Sequence, residues 1–352
     1  MGAVTTTRTR RAGPGHFPGR RRVRCRYGRR RGIRRGWERV GIHVNVDNFV
    51  RAETDRMFRD IQRDAGGPNR FRHNREPARI DEQTVIRLNR DTLYSFAIVD
   101  LQGGATLTLP EAGSRYMSAM VVNNDHFVAE ILHDAGPHEL DEAVIGTRYV
   151  CVAVRTLVDP DDPADIAAVA ALQDQLVLEA GGQAFTSPAY DVGSLDATRT
   201  ALLTLAAGLT SFDRTFGTPD QVDPVRHLIG TAAGWGGLPT TEAAYVGAAP
   251  TSGPGDYELT LADVPVDAFW SISVYNRDGF FEPNPWDLYT VNSVTATPGA
   301  DGSVTVRFVT GEPTEPNSIP VPTGWNYLVR LYRPREAFFD GSWTLPAATR
   351  VD

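Results

Sequence analysis

The chain has 352 residues with 36 basic and 43 acidic side chains, and every basic one is an arginine. Without lysine there is no Schiff base, no P-loop lysine and no kinase ATP lysine, so aldolase-type, pyridoxal-phosphate, P-loop and kinase chemistries are excluded. Residues 1–40 hold 14 arginines and one acid, whereas the rest holds 22 arginines and 42 acids, so the net charge of −7 joins a +13 arm to a −20 body.

An acidic body argues against nucleic acid as a partner, because phosphate contacts need clustered cations. At 41% hydrophobic and 22% charged, the body has the composition of a globular protein long enough for two domains. No run approaches the roughly 18 apolar residues of a membrane helix, and no apolar leader segment stands near the N-terminus. Two cysteines, Cys25 and Cys151, are too few for a disulfide framework or a cysteine-based zinc site. A soluble cytoplasmic protein without membrane association is expected.

Residues 1–43 form an arm of Gly, Pro and Arg without apolar period, which reads as disordered. It suits either a basic surface-binding tail or translated upstream sequence ahead of a valine start at Val44 or Val46. The second is preferred, since basicity carried by arginine alone is weak evidence of RNA binding. Asp47 is placed to cap a helix running to about Asp64, with Val50, Thr54, Met57, Phe58 and Ile61 on one face.

From Val85 the texture changes to short strands bounded by turns: 93–101, 105–109, 116–122, 127–132 and 149–155. Some are apolar on both faces, as when one sheet lies against another. Asp162 and Pro163 open a helix with a face through Ile166, Val169, Ala170, Gln173, Leu176 and Val177, stopped by Gly181 and Gly182. A second helix is expected from Ser194 to Gly208, and a short third after Asp223 and Pro224. After Gly234–Pro239, which reads as a turn, strands return at 257–261, 268–275, 288–294, 303–309 and 327–332. The expected organisation is thus an arm (1–43), an N-terminal β-rich domain (44–160), a helical connector (161–235) and a C-terminal β domain (236–352). The fold class is mainly β with helices (α+β), two antiparallel sandwich- or jelly-roll-like domains.

The segment Asn89–Ser95 (NRDTLYS), the strand ending at Leu101, Arg115–Tyr116 and Gly146–Arg148, followed by Ala268–Gly279 (AFWSISVYNRDG) and Leu328–Pro334 (LVRLYRP), resemble a known pair. These are the bacterial domains of unknown function numbered 1254 (N-terminal) and 1214 (C-terminal), and the resemblance runs over roughly Val44 to Pro334. It implies two β-rich domains joined by helices and no particular activity. Where relatives carry Asn-Trp-Leu-Pro near the end, this chain has Asn317–Pro320 (NSIP).

The first candidate site is Asn89–Tyr94. Asn89 and Asp91 bring an amide and a carboxylate to the start of a strand, with Thr92 and Tyr94 on one face. Asp91 suits a general base, and Tyr94 a donor to a developing oxyanion. The alternative, an Asx turn followed by a core tyrosine, uses the same residue types. His126, Glu130 and His133 are N and O ligands suited to zinc or another divalent ion, but on a strand 126, 130 and 134 share a face while 133 does not, so no metal is assigned. A surface hairpin with solvated histidines is the simpler account. Trp270, Tyr275 and Asn276 with Arg330 and Tyr332 can line a ligand pocket of the second domain. Arg330, set among aliphatic residues, needs either a carboxylate partner or an anionic ligand.

Two functions are carried forward. One is a hydrolase or lyase without cofactor, with Asp91, Tyr94 and His126 catalytic and Asn89, Thr92, Arg115 and Tyr116 binding substrate. The other is a non-catalytic module that takes a small anionic or sugar-like ligand through Arg330 and the aromatics. A small molecule is the expected partner, and a homodimer is compatible with the sequence.

Overall fold

The computed structural model describes residues 41–83, 86–209, 211–250 and 252–351. The arm as far as Val40, including Cys25, lies outside them.

The architecture is mainly antiparallel β with a few helices, arranged as two β halves. The N-terminal half has a five-stranded sheet in the spatial order β1 (Arg72–His73), β2 (Thr92–Asp100), β7 (Tyr149–Leu157), β4 (Met117–Asn123) and β5 (Val128–Leu132). Beside it lies a three-stranded sheet of β6 (Gly136–Leu140), β3 (Ala105–Leu109) and β8 (Val177–Ala180). The C-terminal half has one sheet of β12 (Thr290–Asn292), β11 (Trp270–Tyr275), β15 (Asn326–Tyr332) and β9 (Ala243–Ala248). Its other sheet comprises β14 (Ser318–Pro320), β13 (Val304–Val309), β10 (Tyr257–Leu261) and β16 (Thr349–Arg350). The helices are α1 (Phe49–Asp64), α2 (Glu142–Ile145), α3 (Pro163–Gln173), α4 (Val192–Ala206), α5 (Pro224–Ala233) and α6 (Glu336–Phe339).

Period-two alternation explains how the sheets pack. In β13, Val304, Val306 and Phe308 point into the core shared with Trp270, Ile272, Val274, Val329 and Leu331 of the facing sheet, while Thr305 and Arg307 point outward. The strands β2, β4 and β7 are apolar on both faces because both faces are covered. Ala97, Val99, Ala119, Val121, Val152 and Val154 meet Leu107 and Leu109 of the three-stranded sheet. Ile98, Met120, Val122, Cys151 and Ala153 meet Phe58 of α1 and Ala243, Phe269 and Tyr332 of the C-terminal half. A fully buried side chain of this size contributes roughly 1.5–3 kcal/mol, so this second interface binds the halves together.

Local sequence explains the helix starts. Asp162 accepts from the Ala164 N–H, and Asp223 accepts from those of Val225 and Arg226, each followed by proline in the first turn. Three expectations are corrected. Asp47 does not cap α1, because its own N–H is held by the Asn45 side chain at 2.8 Å and the helix begins at Phe49. Asp191, ahead of Ser194, caps α4. The helix from Pro163 stops at Gln173 rather than at the glycine pair. Residues 177–180 instead pair with β3 from Thr108 to Ala105, where a free strand edge outweighs weak helical patterning.

Candidate functional site

The face of the five-stranded sheet that meets the C-terminal half is aliphatic in the middle and polar toward one end. Register places Tyr94, Arg155 and Ser118 in one row across β2, β7 and β4. Facing it, Tyr245, Arg330 and Ser271 form a row across β9, β15 and β11. Each row thus has an arginine at its centre and a tyrosine at one end.

Asn89 joins the two halves. Its amide nitrogen donates to Thr92 Oγ1 (3.1 Å), to the Tyr94 hydroxyl (3.3 Å) and to the hydroxyl of Tyr332, 243 residues on (3.0 Å). Its Oδ1 accepts from the Asp91 N–H at 2.9 Å, so the Asx turn read from the sequence is present alongside the polar cluster. Asp91 has no exposed surface. Its Oδ1 accepts from Thr290 Oγ1 at 3.1 Å, while Oδ2 has no hydrogen-bond partner among the described residues.

Arg330 is 2% exposed and makes no ion pair among the described residues. It donates to Ser273 Oγ (2.8 Å), the Tyr275 hydroxyl (2.6 Å) and the carbonyls of Arg87 (2.9 Å) and Leu88 (3.2 Å). The interstrand salt bridge weighed from sequence is therefore replaced by carbonyl and hydroxyl acceptors. Burial works against its charge, but Tyr275, Tyr332 and Asp91 outweigh that and hold the guanidinium protonated.

Arg155, at 7% exposure, was not singled out by sequence reasoning. Its guanidinium carbon stands 5.4 Å from the centre of the Tyr94 ring, and it donates to the Gly236 carbonyl (2.7 Å) and weakly to Met120 Sδ (3.9 Å). The available signal was the one noticed for Arg330, an arginine inside an aliphatic strand. Burial pushes the Tyr94 phenol up, but Arg155, Thr92 and Asn89 outweigh burial and leave it below its ordinary value. Tyr332, by contrast, is held well above the usual range by burial and by its neighbours Tyr245 and Tyr94. Tyr94 and Tyr245 keep partial accessibility although they lie between the sheets.

The other expected residues are spread around this cluster. Tyr116 reaches Tyr332 and Phe269 (ring centres 5.5 and 5.4 Å) and donates to Ser118 Oγ at 2.9 Å. Burial pushes its phenol up to about 12. Tyr275 donates to the Leu88 carbonyl at 2.7 Å beside Arg330. Arg115 is engaged by Asp165 and the Leu157 carbonyl. Trp270 belongs to the core between the two C-terminal sheets, on the face opposite Arg330. Asn276 closes a turn, its Oδ1 accepting from the N–H groups of Asp278 and Phe280 (both 3.1 Å).

His126 is corrected from a solvated hairpin residue to a buried one, 1% exposed, bonded to Thr231 and Gly236 and stacked on Trp235 and His227. The helix α5 and the 234–239 loop, distant in sequence, cover it. His133 pairs with Glu242 at 2.9 Å, and no group of three or more His, Cys, Asp and Glu able to hold a metal ion occurs among the described residues. No helix there is long and apolar enough to cross a membrane.

Two cavities border the junction. One of about 650 Å³ is lined by Arg90, Ile166, Asn284, Asp287 and Tyr289, and one of about 280 Å³ by Arg115, Tyr116, His133, Phe269 and Arg333.

Residues 68–138 match the family described as "Protein of unknown function (DUF1254)", and residues 241–336 match "Protein of unknown function (DUF1214)". The first stretch contains Asn89, Asp91, Tyr94 and His126, the second Tyr245, Arg330 and Tyr332, and Arg155 lies in neither. The crystal structure of the VPA0106 protein from Vibrio parahaemolyticus is 17% identical, with 88% of this chain and 100% of that one covered at a TM-score of 0.65, a likeness of fold. An uncharacterised protein from Burkholderia cenocepacia is 13% identical, covering 82% of this chain and 85% of its own at a TM-score of 0.48. No curated protein matches the chain. The chain therefore carries the two domains of unknown function 1254 and 1214, in that N- to C-terminal order.

Proposed function

We propose that the junction between the two β halves binds a small anionic molecule, with Arg155 as the cation that receives its charge. One observation carries this reading. Arg155 is buried without a carboxylate partner among the described residues, its acceptors being the Gly236 carbonyl, the Met120 sulfur and the Tyr94 hydroxyl. A buried guanidinium is stable only against a carboxylate, a full set of acceptors or an anionic ligand. Arg330 has four acceptors of its own chain, whereas those of Arg155 include one carbonyl, one weak sulfur and the hydroxyl of Tyr94. Tyr94 and Tyr245, neither of them fully buried residues, supply aromatic rings and hydroxyls next to it. The test compares wild type with Arg155→Met for binding of benzoate and of inorganic phosphate, followed by NMR. Wild type should bind at least one saturably, and the variant about tenfold or more weaker, as for one lost charged hydrogen bond. Equal behaviour of the two proteins refutes the assignment.

A catalytic reading, a cofactor-independent hydrolase or lyase, is favoured by a separate observation. Tyr94, next to Arg155, has a phenol below its ordinary value, and Asp91 keeps one buried carboxylate oxygen without a partner. On this reading Tyr94 moves the proton, Asp91 serves as base, and Asn89, Thr92 and Tyr332 hold the substrate. Asp91→Asn should then abolish turnover while sparing binding. Turnover that survives the substitution removes Asp91 from the chemistry.

A further inference from the structure

Gly236 connects two buried groups. Its N–H donates to His126 Nε2 at 2.9 Å, and its carbonyl accepts from Arg155 Nη2 at 2.7 Å. The protonation of the histidine follows from its other neighbour. Thr231 Oγ1 spends its hydrogen on the His227 carbonyl at 2.9 Å, so its 2.8 Å contact with His126 Nδ1 requires the ring proton on Nδ1. Nε2 is then the bare nitrogen, which is what the Gly236 N–H needs. A neutral imidazole in this single tautomer satisfies both contacts.

The ring has little room to move. It is stacked on Trp235 (5.4 Å, 18°) and His227 (5.4 Å, 28°), with the edge of Phe216 at 6.0 Å. Its backbone takes φ 63°, a left-handed conformation that histidine adopts more readily than most residues. Gly236 has φ 75°, and a Cβ on Gly237 would come within 2.3 Å of the Phe216 ring, so the loop is pressed against the same cluster.

We infer that His126 is a positioning residue: by holding Gly236 it fixes the carbonyl that orients the Arg155 guanidinium against Tyr94. Among the described residues its ring bonds lead only to Thr231 and Gly236, so it acts through the loop. The inference rests on the reading of Arg155 as the functional cation of the junction. It also gives Gly234–Pro239 a role beyond that of a turn.

The test uses the full chain as wild type, His126→Leu, His126→Gln and Arg155→Met, each with and without Tyr94→Phe. The difference in phenolate absorbance within each pair isolates the Tyr94 titration. His126→Leu should move that titration upward toward its position in Arg155→Met, and should weaken benzoate or phosphate binding about tenfold, as for one lost hydrogen bond. His126→Gln, which sets an amide oxygen where Nε2 stood, should restore the wild-type titration. A folded His126→Leu with unchanged Tyr94 titration overturns the inference, as does a Gln variant no better than Leu. Should His126→Leu fail to fold, ¹⁵N NMR of the wild-type imidazole decides, with the Nδ1-protonated tautomer supporting the inference and the Nε2-protonated one overturning it. If wild type binds neither anion while the Tyr94 titrations respond as expected, the anion reading fails and the positioning of Arg155 stands.

Discussion

Replacing Arg330 with methionine should destabilise the protein by about 3 kcal/mol, and the sign of the effect is the informative part. Methionine keeps most of the aliphatic stem, so the packing of β15 against its neighbours is largely preserved. The guanidinium leaves four acceptors behind. The Leu88 carbonyl keeps the Tyr275 hydroxyl at 2.7 Å, and Ser273 keeps Thr290 Oγ1 at 3.4 Å. The Arg87 carbonyl loses the donor it had at 2.9 Å, and an unpaired buried acceptor costs about 1–3 kcal/mol. Asp91, fully buried and already short of one partner, also loses a neighbouring positive charge, which adds to that cost. Relief of the guanidinium's own desolvation offsets part of both. Urea unfolding followed by tryptophan fluorescence and far-UV circular dichroism measures the result, with coincident transitions as the check on two-state behaviour. With a slope near 3 kcal/mol per molar, the midpoint should fall by roughly 1 M. A variant as stable as wild type, or more so, would mean that burying this charge costs more than its neighbours return, and would refute the reasoning.

Three further outcomes are expected. Asp100 has no exposed side-chain surface. Burial raises its carboxyl, but Arg148 (2.8 and 2.7 Å) and the N–H groups of Gln183 (2.7 Å) and Gln102 (3.0 Å) outweigh burial and lower it to about 2. Since its folded value lies below the unfolded one, it contributes on the order of 2 kcal/mol that is fully present above about pH 4 and lost as pH falls through about 2. Asp100→Asn should remove that part of the acid slope, as read by unfolding free energy between pH 2 and 5. His126 and His227 are both held below their ordinary values chiefly by burial, so stability should be full above about pH 6.5 and decline below it as the unfolded chain alone takes up protons. His126→Gln should flatten this decline, and an unchanged slope in melting experiments between pH 7.5 and 5 would count against it. Gly237→Ala should destabilise by about 1–3 kcal/mol by forcing Phe216 aside, whereas a neutral result in thermal unfolding would show that the ring has room to move.

Much of the fold was legible locally. The alternation of Tyr257, Leu259 and Leu261, or of Val304, Val306 and Phe308, is sufficient to mark half-buried strands, and aspartate followed by proline marks the starts of α3 and α5. Of the candidate site, the Asn89–Tyr94 segment stood out because amide, carboxylate and hydroxyl groups crowd the start of an otherwise apolar strand. The residues that complete it did not. Tyr245 lies in a strand, Ala243–Ala248, whose small residues hide its pattern, and Arg155 ends a run of Val and Ala that reads simply as core.

What the amino-acid sequence determined by itself was chemical and local: no lysine chemistry, a charge divided between arm and body, strands with two apolar faces, and polar groups clustered at Asn89. Tertiary structure alone decided which element covers each second face, and so what each buried polar group means. Arg155 and Arg330 are alike in sequence, each an arginine among aliphatic residues of a strand. They differ because the carbonyls of Arg87 and Leu88 arrive beside Arg330 from 243 and 242 residues away, while Arg155 receives, among the described residues, the single carbonyl of Gly236. His126 reads as an exposed turn residue until α5 and Trp235 close over it. Periodicity is a property of neighbouring residues, whereas the pairing of a buried charge depends on which distant backbone reaches it, and no local pattern encodes that.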